Sequence, residues 1–190
     1  MRPIILASAS PRRREICEKL GLTFSVEPAA AEVPLDPALP LADGVLAIAR
    51  SKAESVFALH PTEPVLGADT VVAVDTDDGV AVLGKPADPA DAARMLRLLS
   101  GRTHRVLTAV WLCSPERCDG FVSENRVTFA PLSDADVAEY VASGEPLDKA
   151  GSYGVQGLGA RYVQRIEGDF FAVMGLPAAD LWRFLCSFGL

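Results

Sequence analysis

The chain has 190 residues, a formal net charge of −7 and a hydrophobic fraction of 49%. This size and composition suit one domain, or two lobes that share one sheet, with a sizeable core. The acidic balance argues against polymeric nucleic acid as a partner, because that ligand needs a broad basic face. No apolar run reaches the roughly 18 residues of a membrane helix and no signal-peptide core is found, so a cytoplasmic location without membrane contact is expected.

The first predicted elements are a short strand over residues 4–7 and a helix over residues 11–20. A serine at the N-cap position and a proline at the first helical position mark the start of this helix. The first helical turn carries Arg12, Arg13 and Arg14 beside unpaired backbone N–H groups and the positive end of the helix dipole. Cations are unfavourable there, whereas helix N-termini bind anions. The turn therefore indicates a phosphate site, with three solvated surface arginines as the alternative.

The remaining predicted elements alternate between helices and hairpins. In chain order they are a strand at 23–26, a Pro/Ala-rich loop at 28–40, a helix at 41–59, strands at 65–74 and 80–83 joined by a turn, a helix at 89–99, strands at 104–113 and 121–129, a helix at 134–143, a glycine-rich loop at 151–159, a hairpin of strands 161–166 and 170–174, and a helix at 177–188. This order differs from the strict alternation of a doubly wound parallel sheet. The sequence therefore predicts a mixed α/β fold.

Two charged residues interrupt apolar patterns. Lys52 lies within the apolar stripe of its predicted helix, so it either snorkels to water or points inward at a ligand. Asp69 interrupts an apolar strand, and a buried carboxylate needs a metal or a cation as its partner. The alternatives for Asp69 are an edge strand or a bulge beside Gly67.

Other polar positions give weaker signals on their own. Lys85 and Lys149 are typical of solvated turn lysines, and the loop 151–159 has neither a P-loop nor a dinucleotide pattern. Its four glycines indicate a sharp turn or a close approach. His60 and His104 are isolated and are predicted at the surface or at strand ends, and the four cysteines have no metal-site spacing.

Taken together, these residues favour phosphate chemistry assisted by a divalent metal. The acids Glu32 and Asp69 can hold the metal, one of them can activate water, and the cations can neutralise phosphates. From the residues alone, the chain is interpreted as a hydrolase of phosphoesters or phosphoanhydrides.

Four segments then carry a resemblance to a known family. They are residues 6–13 (LASASPRR), 67–72 (GADTVV), 84–86 (GKP) and 145–157 (EPLDKAGSYGVQG). In this order they resemble the Maf family, also called septum formation inhibitor proteins, which are nucleoside triphosphate pyrophosphatases. The resemblance implies a single domain over 1–190 of the inosine-triphosphatase-like type, with a mixed elongated β-sheet, flanking helices and two lobes around a nucleotide cleft. It also implies hydrolysis of a nucleoside triphosphate to the monophosphate and pyrophosphate, and it suggests a homodimer.

The resemblance further implies roles for individual residues. Asp69 matches the family's general base, and Glu32 matches an acid near the metal, although relatives often have two adjacent acids there. Glu32 and Asp69 are accordingly expected to hold Mg²⁺ or Mn²⁺. The residues expected to bind the substrate are Ser8, Arg12, Arg13, Lys52, Thr70, Lys85, Lys149 and Gln156.

The base preference is expected from three of these positions. The combination of Arg12, Thr70 and Gln156 resembles the subgroup that acts on dTTP and UTP, whereas the subgroup for 7-methyl-GTP tends to differ at all three. A glutamine amide can donate to O4 and accept from N3–H of uracil or thymine, whereas the two adjacent donors of guanine suit a carboxylate. The alternatives are the same chemistry on another base and a nucleotide-binding regulator of cell division without catalysis.

Overall fold

A computed structural model describes residues 2–31 and 33–190, so Glu32 and its expected role lie outside the described residues. Its strands are β1 (Ile4–Leu6), β2 (Phe24–Val26), β3 (Val65–Thr76), β4 (Gly79–Leu83), β5 (Thr103–Cys113), β6 (Cys118–Phe129) and β7 (Val163–Glu167). Its helices are α1 (Pro11–Lys19), α2 (Leu41–Phe57), α3 (Pro89–Leu99), α4 (Asp134–Ala142), α5 (Phe170–Met174) and α6 (Ala178–Ser187), with 3₁₀ turns at Glu145–Asp148, Ala150–Ser152 and Leu158–Tyr162. The predicted mixed α/β class is confirmed.

The strands form one mixed sheet with the order β2-β1-β3-β5-β6-β7, and β4 pairs with β3. Strand β1 is parallel to β2 and to β3, with Ile5 opposite Val65. Strands β3 and β4 are antiparallel, as are β6 and β7. The short apolar strand β1 is buried on both faces, which is typical of a strand with parallel neighbours. No helix in the described ranges is both long enough and apolar enough to span a bilayer.

The chain forms two compact units. Unit 1 comprises the described residues up to Thr70 together with Thr108–Ser123 and Gly175–Leu190, and unit 2 comprises Val71–Leu107 and Glu124–Met174. An apolar cluster in unit 1 contains Ile5, Ala7, Ala53, Val56, Val65 and Cys113. A larger cluster in unit 2 contains Val72, Val74, Leu83, Met95, Leu96, Leu99, Val106, Val127, Phe129, Val137, Tyr140, Tyr153 and Tyr162. The assignment of residues 1–190 to a single domain stays a prediction.

Helix α1 of unit 1 begins at Pro11, as predicted, and ends before Gly21, whose positive φ of 67° suits glycine. Ser10 is the N-cap residue, but its side chain makes no capping hydrogen bond. The backbone N–H of Ser10 instead donates to Ser8 Oγ at 3.3 Å. The N-terminal end of α1 is therefore joined to the serine that follows β1.

Helix α2 lies against β3 at Gly67. A Cβ atom at this position would lie 2.7 Å from the backbone nitrogen of Ala53 and would also collide with the carbonyl oxygen of Ala49. These are backbone atoms of α2, which cannot move aside as a flexible side chain can. Gly67 is therefore required by the close approach of the helix to the strand.

The helix caps of unit 2 agree with the sequence. Asp88 accepts a hydrogen bond from the backbone N–H of Asp91 at 2.8 Å at the start of α3. Ser133 and Asp136 form a capping box at the start of α4. Both caps satisfy backbone donors with side chains of the same short segment, so the sequence alone locates them.

The predicted hairpin of strands 161–166 and 170–174 is wrong in its second half. Residues Phe170–Met174 form α5, and β7 pairs with β6. Asp169 starts this helix, because its Oδ1 accepts from the N–H of Phe171 at 2.7 Å and its carbonyl accepts from Val173 at 3.2 Å. The N–H of Asp169 donates to Oδ1 of the distant Asn125 at 2.6 Å, a contact that favours the helix over a second strand.

Candidate active site

The first group of expected site residues surrounds the guanidinium of Arg13 in unit 1. Arg13 is only 8% exposed. Its Nη1 donates to Ser8 Oγ at 3.0 Å, its Nη2 to Thr70 Oγ1 at 3.2 Å and its Nε to the carbonyl of Gly175 at 3.0 Å. Thr70 Oγ1 also lies 3.0 Å from Thr108 Oγ1. The guanidinium therefore connects the residues after β1, strand β3 and the segment before α6.

The three consecutive arginines of α1 have different environments. Arg13 is buried, Arg12 is half-buried, and Arg14 is exposed, with its Nε 3.8 Å from Glu18 on the same helix. An exposed pair of this kind contributes little to stability. The sequence indicates the whole turn as a phosphate site. The structure separates Arg13, which binds neighbouring polar groups, from Arg14, which is solvated.

Lys52 and Asp69 form a largely buried ion pair in unit 1. Lys52 Nζ lies 2.7 Å from Asp69 Oδ1. Lys52 is 6% exposed on the buried face of α2, so of the two alternatives it points inward and does not snorkel to water. Removing one member of such a pair leaves a charge without compensation in the interior. The Asp69 side chain keeps 17% exposure, so the carboxylate remains in contact with solvent.

The expected residues Lys85, Lys149 and Gln156 lie in unit 2. Lys85 is exposed directly after β4, and the preceding carbonyl of Gly84 accepts from the N–H of Gly151 at 3.0 Å. This bond joins the turn that carries Lys85 to the start of the glycine-rich segment. Lys149 Nζ donates to the carbonyl of Glu145 at 2.7 Å, and the Gln156 side chain lies in an exposed stretch.

His104 supports the glycine-rich segment from the core of unit 2. It is 1% exposed and is the second residue of β5, so of the two predicted positions, at the surface or at a strand end, the structure shows the strand end. Its Nε2 lies 2.7 Å from the Tyr153 hydroxyl, and its ring meets those of Phe129 and Tyr153 edge to face. Burial lowers the pKa of His104 to about 4, so the ring is neutral at neutral pH. No sequence pattern marks this histidine, because its partner lies 49 residues away.

The molecule is thus a mixed α/β protein in which residues that the sequence indicates for phosphate chemistry form a largely buried lysine–aspartate pair and a cluster of polar groups around the buried Arg13. The chain belongs to the Maf family, since the family described as Maf-like protein matches residues 3–188. The resemblance drawn from the sequence is therefore confirmed.

Several relatives are similar to the chain over its full length. A protein of Bacillus pumilus (strain SAFR-032) named dTTP/UTP pyrophosphatase is 44% identical over 190 residues, covering 100% of this chain and 98% of that protein. Proteins with the same name from Koribacter versatilis (strain Ellin345) and Moorella thermoacetica (strain ATCC 39073 / JCM 9320) are each 47% identical, covering 98% and 100% of this chain and 95% and 97% of their own lengths. A solved nucleoside-triphosphatase / dITP/XTP pyrophosphatase from Mycobacterium abscessus is 21% identical with a TM-score of 0.44, covering 69% of this chain and 76% of that one.

Proposed function

We propose that the chain is a nucleoside triphosphate pyrophosphatase that hydrolyses dTTP and UTP to the monophosphate and pyrophosphate. The observation that carries the proposal is the Lys52–Asp69 pair, a solvent-accessible carboxylate held at 2.7 Å by a buried ammonium group. A protein that only binds nucleotide does not need such a carboxylate. Membership of the Maf family and the three relatives named dTTP/UTP pyrophosphatase support the same conclusion.

Asp69 acts as the general base in this proposal. Its carboxylate accepts a proton from a water molecule, and the oxygen of that water attacks the α-phosphorus. The bond between the α-phosphorus and the oxygen bridging to the β-phosphate breaks, and pyrophosphate leaves with the electron pair. Lys52 orients the carboxylate and compensates its charge, so that the base does not depend on bulk water for solvation.

The chemistry of the donor set fits a divalent metal that is shared with the substrate. In residues 2–31 and 33–190, no group of three or more His, Cys, Asp or Glu side chains could hold a metal alone. Mg²⁺ and similar ions commonly bind one or two carboxylates and complete their shell with phosphate oxygens and water. We therefore assign Asp69, together with Glu32 outside the described residues, to Mg²⁺ or Mn²⁺. When bound, this ion would polarise the phosphate and neutralise its charge.

The substrate residues divide by their environments. Arg13 positions Ser8 and Thr70, because its guanidinium donates to both hydroxyl groups. Arg12, half-buried on the same helical turn, and the exposed Lys85 are assigned to the phosphate groups. Direct contact of Lys149 with the substrate stays a prediction, as does a homodimer.

Gln156 is assigned to the base. Its exposed position on the glycine-rich segment supports contact with a ligand. Its amide can donate to O4 and accept from N3–H, the pattern that uracil and thymine share. Guanine presents two adjacent donors, N1–H and the 2-amino group, at the corresponding edge, and this pair suits a carboxylate better than an amide.

Product analysis tests this function. With UTP and Mg²⁺, chromatography should find UMP and pyrophosphate in equal amounts. Asp69→Asn should abolish most of the activity, whereas the matched control Asp75→Asn, an exposed acid on the same strand, should keep it. UDP and phosphate as the main products would contradict the proposal, as would binding of UTP without hydrolysis. Faster cleavage of 7-methyl-GTP than of UTP would refute the base assignment alone.

A further inference from the structure

The carboxylate of Glu145 holds the glycine-rich segment of unit 2. Its Oε2 accepts from the backbone N–H of Leu158 at 2.8 Å, and its Oε1 accepts from the N–H of Gly159 at 3.1 Å. Oε1 also accepts from the hydroxyl of Tyr140 at 2.8 Å. Both carboxylate oxygens therefore bind the stretch that directly follows Gln156.

Two glycines of this segment lie against Glu145 and its hydrogen-bond partner Tyr140. A Cβ at Gly157 would lie 2.5 Å from Glu145 Cδ and would collide with its Oε2. A Cβ at Gly159 would lie 2.5 Å from the Tyr140 hydroxyl. For Gly157 and Gly159, the close approach that the sequence indicates is thus an approach to Glu145 and Tyr140 within the protein.

The segment is also held on the other side of Gln156. The Tyr140 hydroxyl accepts from the backbone N–H of Gly154 at 3.1 Å. Tyr140 is itself buried and packs edge to face on Tyr162, with ring centroids 5.4 Å apart. Gln156 therefore lies in the middle of a short loop whose two ends are attached to one hydrogen-bonded pair, Tyr140 and Glu145.

The Glu145 carboxylate is held in its ionised form. Partial burial raises the pKa of Glu145, but the hydrogen bonds from Leu158, Tyr140 and Gly159 and the charge of Lys149 outweigh burial, so that its pKa lies below the ordinary value. An ionised acceptor forms shorter and stronger hydrogen bonds than a neutral one. The loop is accordingly anchored at neutral pH.

We propose that Glu145 is a positioning residue for base selectivity, which holds residues 154–159 in the one conformation that lets Gln156 read a pyrimidine edge. The proposal rests on the assignment of Gln156 to the base under the proposed function. An amide that must donate and accept at once needs a fixed orientation, and a loop that is ordered before binding does not lose conformational entropy on binding. Because Glu145 acts on binding of the base, its loss should change affinity and selectivity more than the chemical step.

Glu145→Gln is the direct test, since it keeps the size of the side chain and replaces one acceptor oxygen with a donor that faces an N–H or a hydroxyl. The KM for UTP should rise about tenfold while kcat changes less than about threefold, the result expected when ground-state and transition-state binding are lost equally. The ratio of kcat/KM for UTP to that for GTP should fall. Inhibition by tripolyphosphate, which has no base, should be unchanged. Glu139→Gln, an exposed neighbour on α4 that pairs with Arg161, is the matched control and should behave as wild type.

Two further measurements do not depend on catalysis. Amide hydrogen exchange at Leu158 and Gly159 without nucleotide should accelerate in Glu145→Gln, and Tyr140→Phe should give a smaller change in the same direction. The preference for UMP over GMP in dissociation constants should also fall in Glu145→Gln. An unchanged preference for UMP, or a loss that extends equally to tripolyphosphate, overturns the proposal. A wild-type protein that binds UMP but hydrolyses no triphosphate contradicts the proposed function alone, and the exchange and UMP measurements still decide on Glu145.

Discussion

Acidification should unfold the protein partly through His104. The folded protein holds the pKa of this buried ring at about 4, against an ordinary value of 6.5 in the unfolded chain. Between these two values the unfolded chain binds a proton that the folded chain does not, so the free energy of unfolding falls as the pH falls. The full effect of the difference in pKa is about 3 kcal/mol. About 2 kcal/mol of it is lost between pH 7 and pH 5, and the loss is complete below about pH 4.

Urea unfolding of wild type and His104→Gln at pH 7 and pH 5 measures this contribution. Glutamine can still bond to the Tyr153 hydroxyl but does not titrate. The carboxylates titrate alike in both proteins, so the difference between their pH-induced losses isolates His104, and wild type should lose about 2 kcal/mol more. His60→Gln, at a solvent-accessible histidine, is the control. Equal losses in wild type and His104→Gln would refute the reasoning.

Three substitutions test the site and its support. Asp69→Asn should lower kcat for UTP by about 10²–10⁴-fold, as expected for loss of a general base. It should also lower Tm, because Lys52 loses its carboxylate partner. A variant with wild-type kcat would exclude Asp69 as the base. Gln156→Glu should lower kcat/KM for UTP by about 5- to 150-fold, which is the cost of one hydrogen bond left unmade in a ligand site. An unchanged ratio of UTP to GTP turnover would show that Gln156 does not contact the base. Gly67→Ala should lower the free energy of unfolding in urea by about 1–3 kcal/mol. The control Gly84→Ala should not, because a Cβ there meets nothing within 4 Å. Equal stabilities of the two variants would contradict the close helix–strand contact.

Much of the fold follows from local chemistry that a sequence displays. The caps at Asp88 and Ser133 bind backbone groups three residues away, and Gly21 takes the positive φ that ends α1. The apolar stripe placed Lys52 on the core-facing side of its helix and left open whether its ammonium group points inward or to water; in the structure Lys52 is buried. Each of these features depends on residues within one or two helical turns, so helix periodicity and turn preferences suffice to find it.

The errors and omissions arise where the deciding partner is distant in sequence. Helix α5 replaces a predicted strand at a position where Asn125, 44 residues away, binds Asp169. The burial of Arg13 depends on partners as far away as Gly175, 162 residues along the chain. Glu145 shows the same limit: it begins one of the segments that carry the family resemblance, but no local pattern indicates that its carboxylate binds the backbone of residues 158–159.

The contact of Gly67 with α2 bears on how freely the interior of unit 1 can change. Lys52 directly precedes Ala53, the residue whose backbone approaches this glycine. The backbone contact between α2 and β3 therefore fixes the point from which the Lys52 side chain reaches Asp69. Aliphatic side chains buried on the same helix, such as Val45 and Val56, should exchange for others of similar volume at little cost in stability. The geometry of the Lys52–Asp69 pair therefore depends on this backbone contact more than on the identity of the aliphatic side chains. A redesign of this interior can therefore vary its aliphatic residues widely but must keep glycine at position 67.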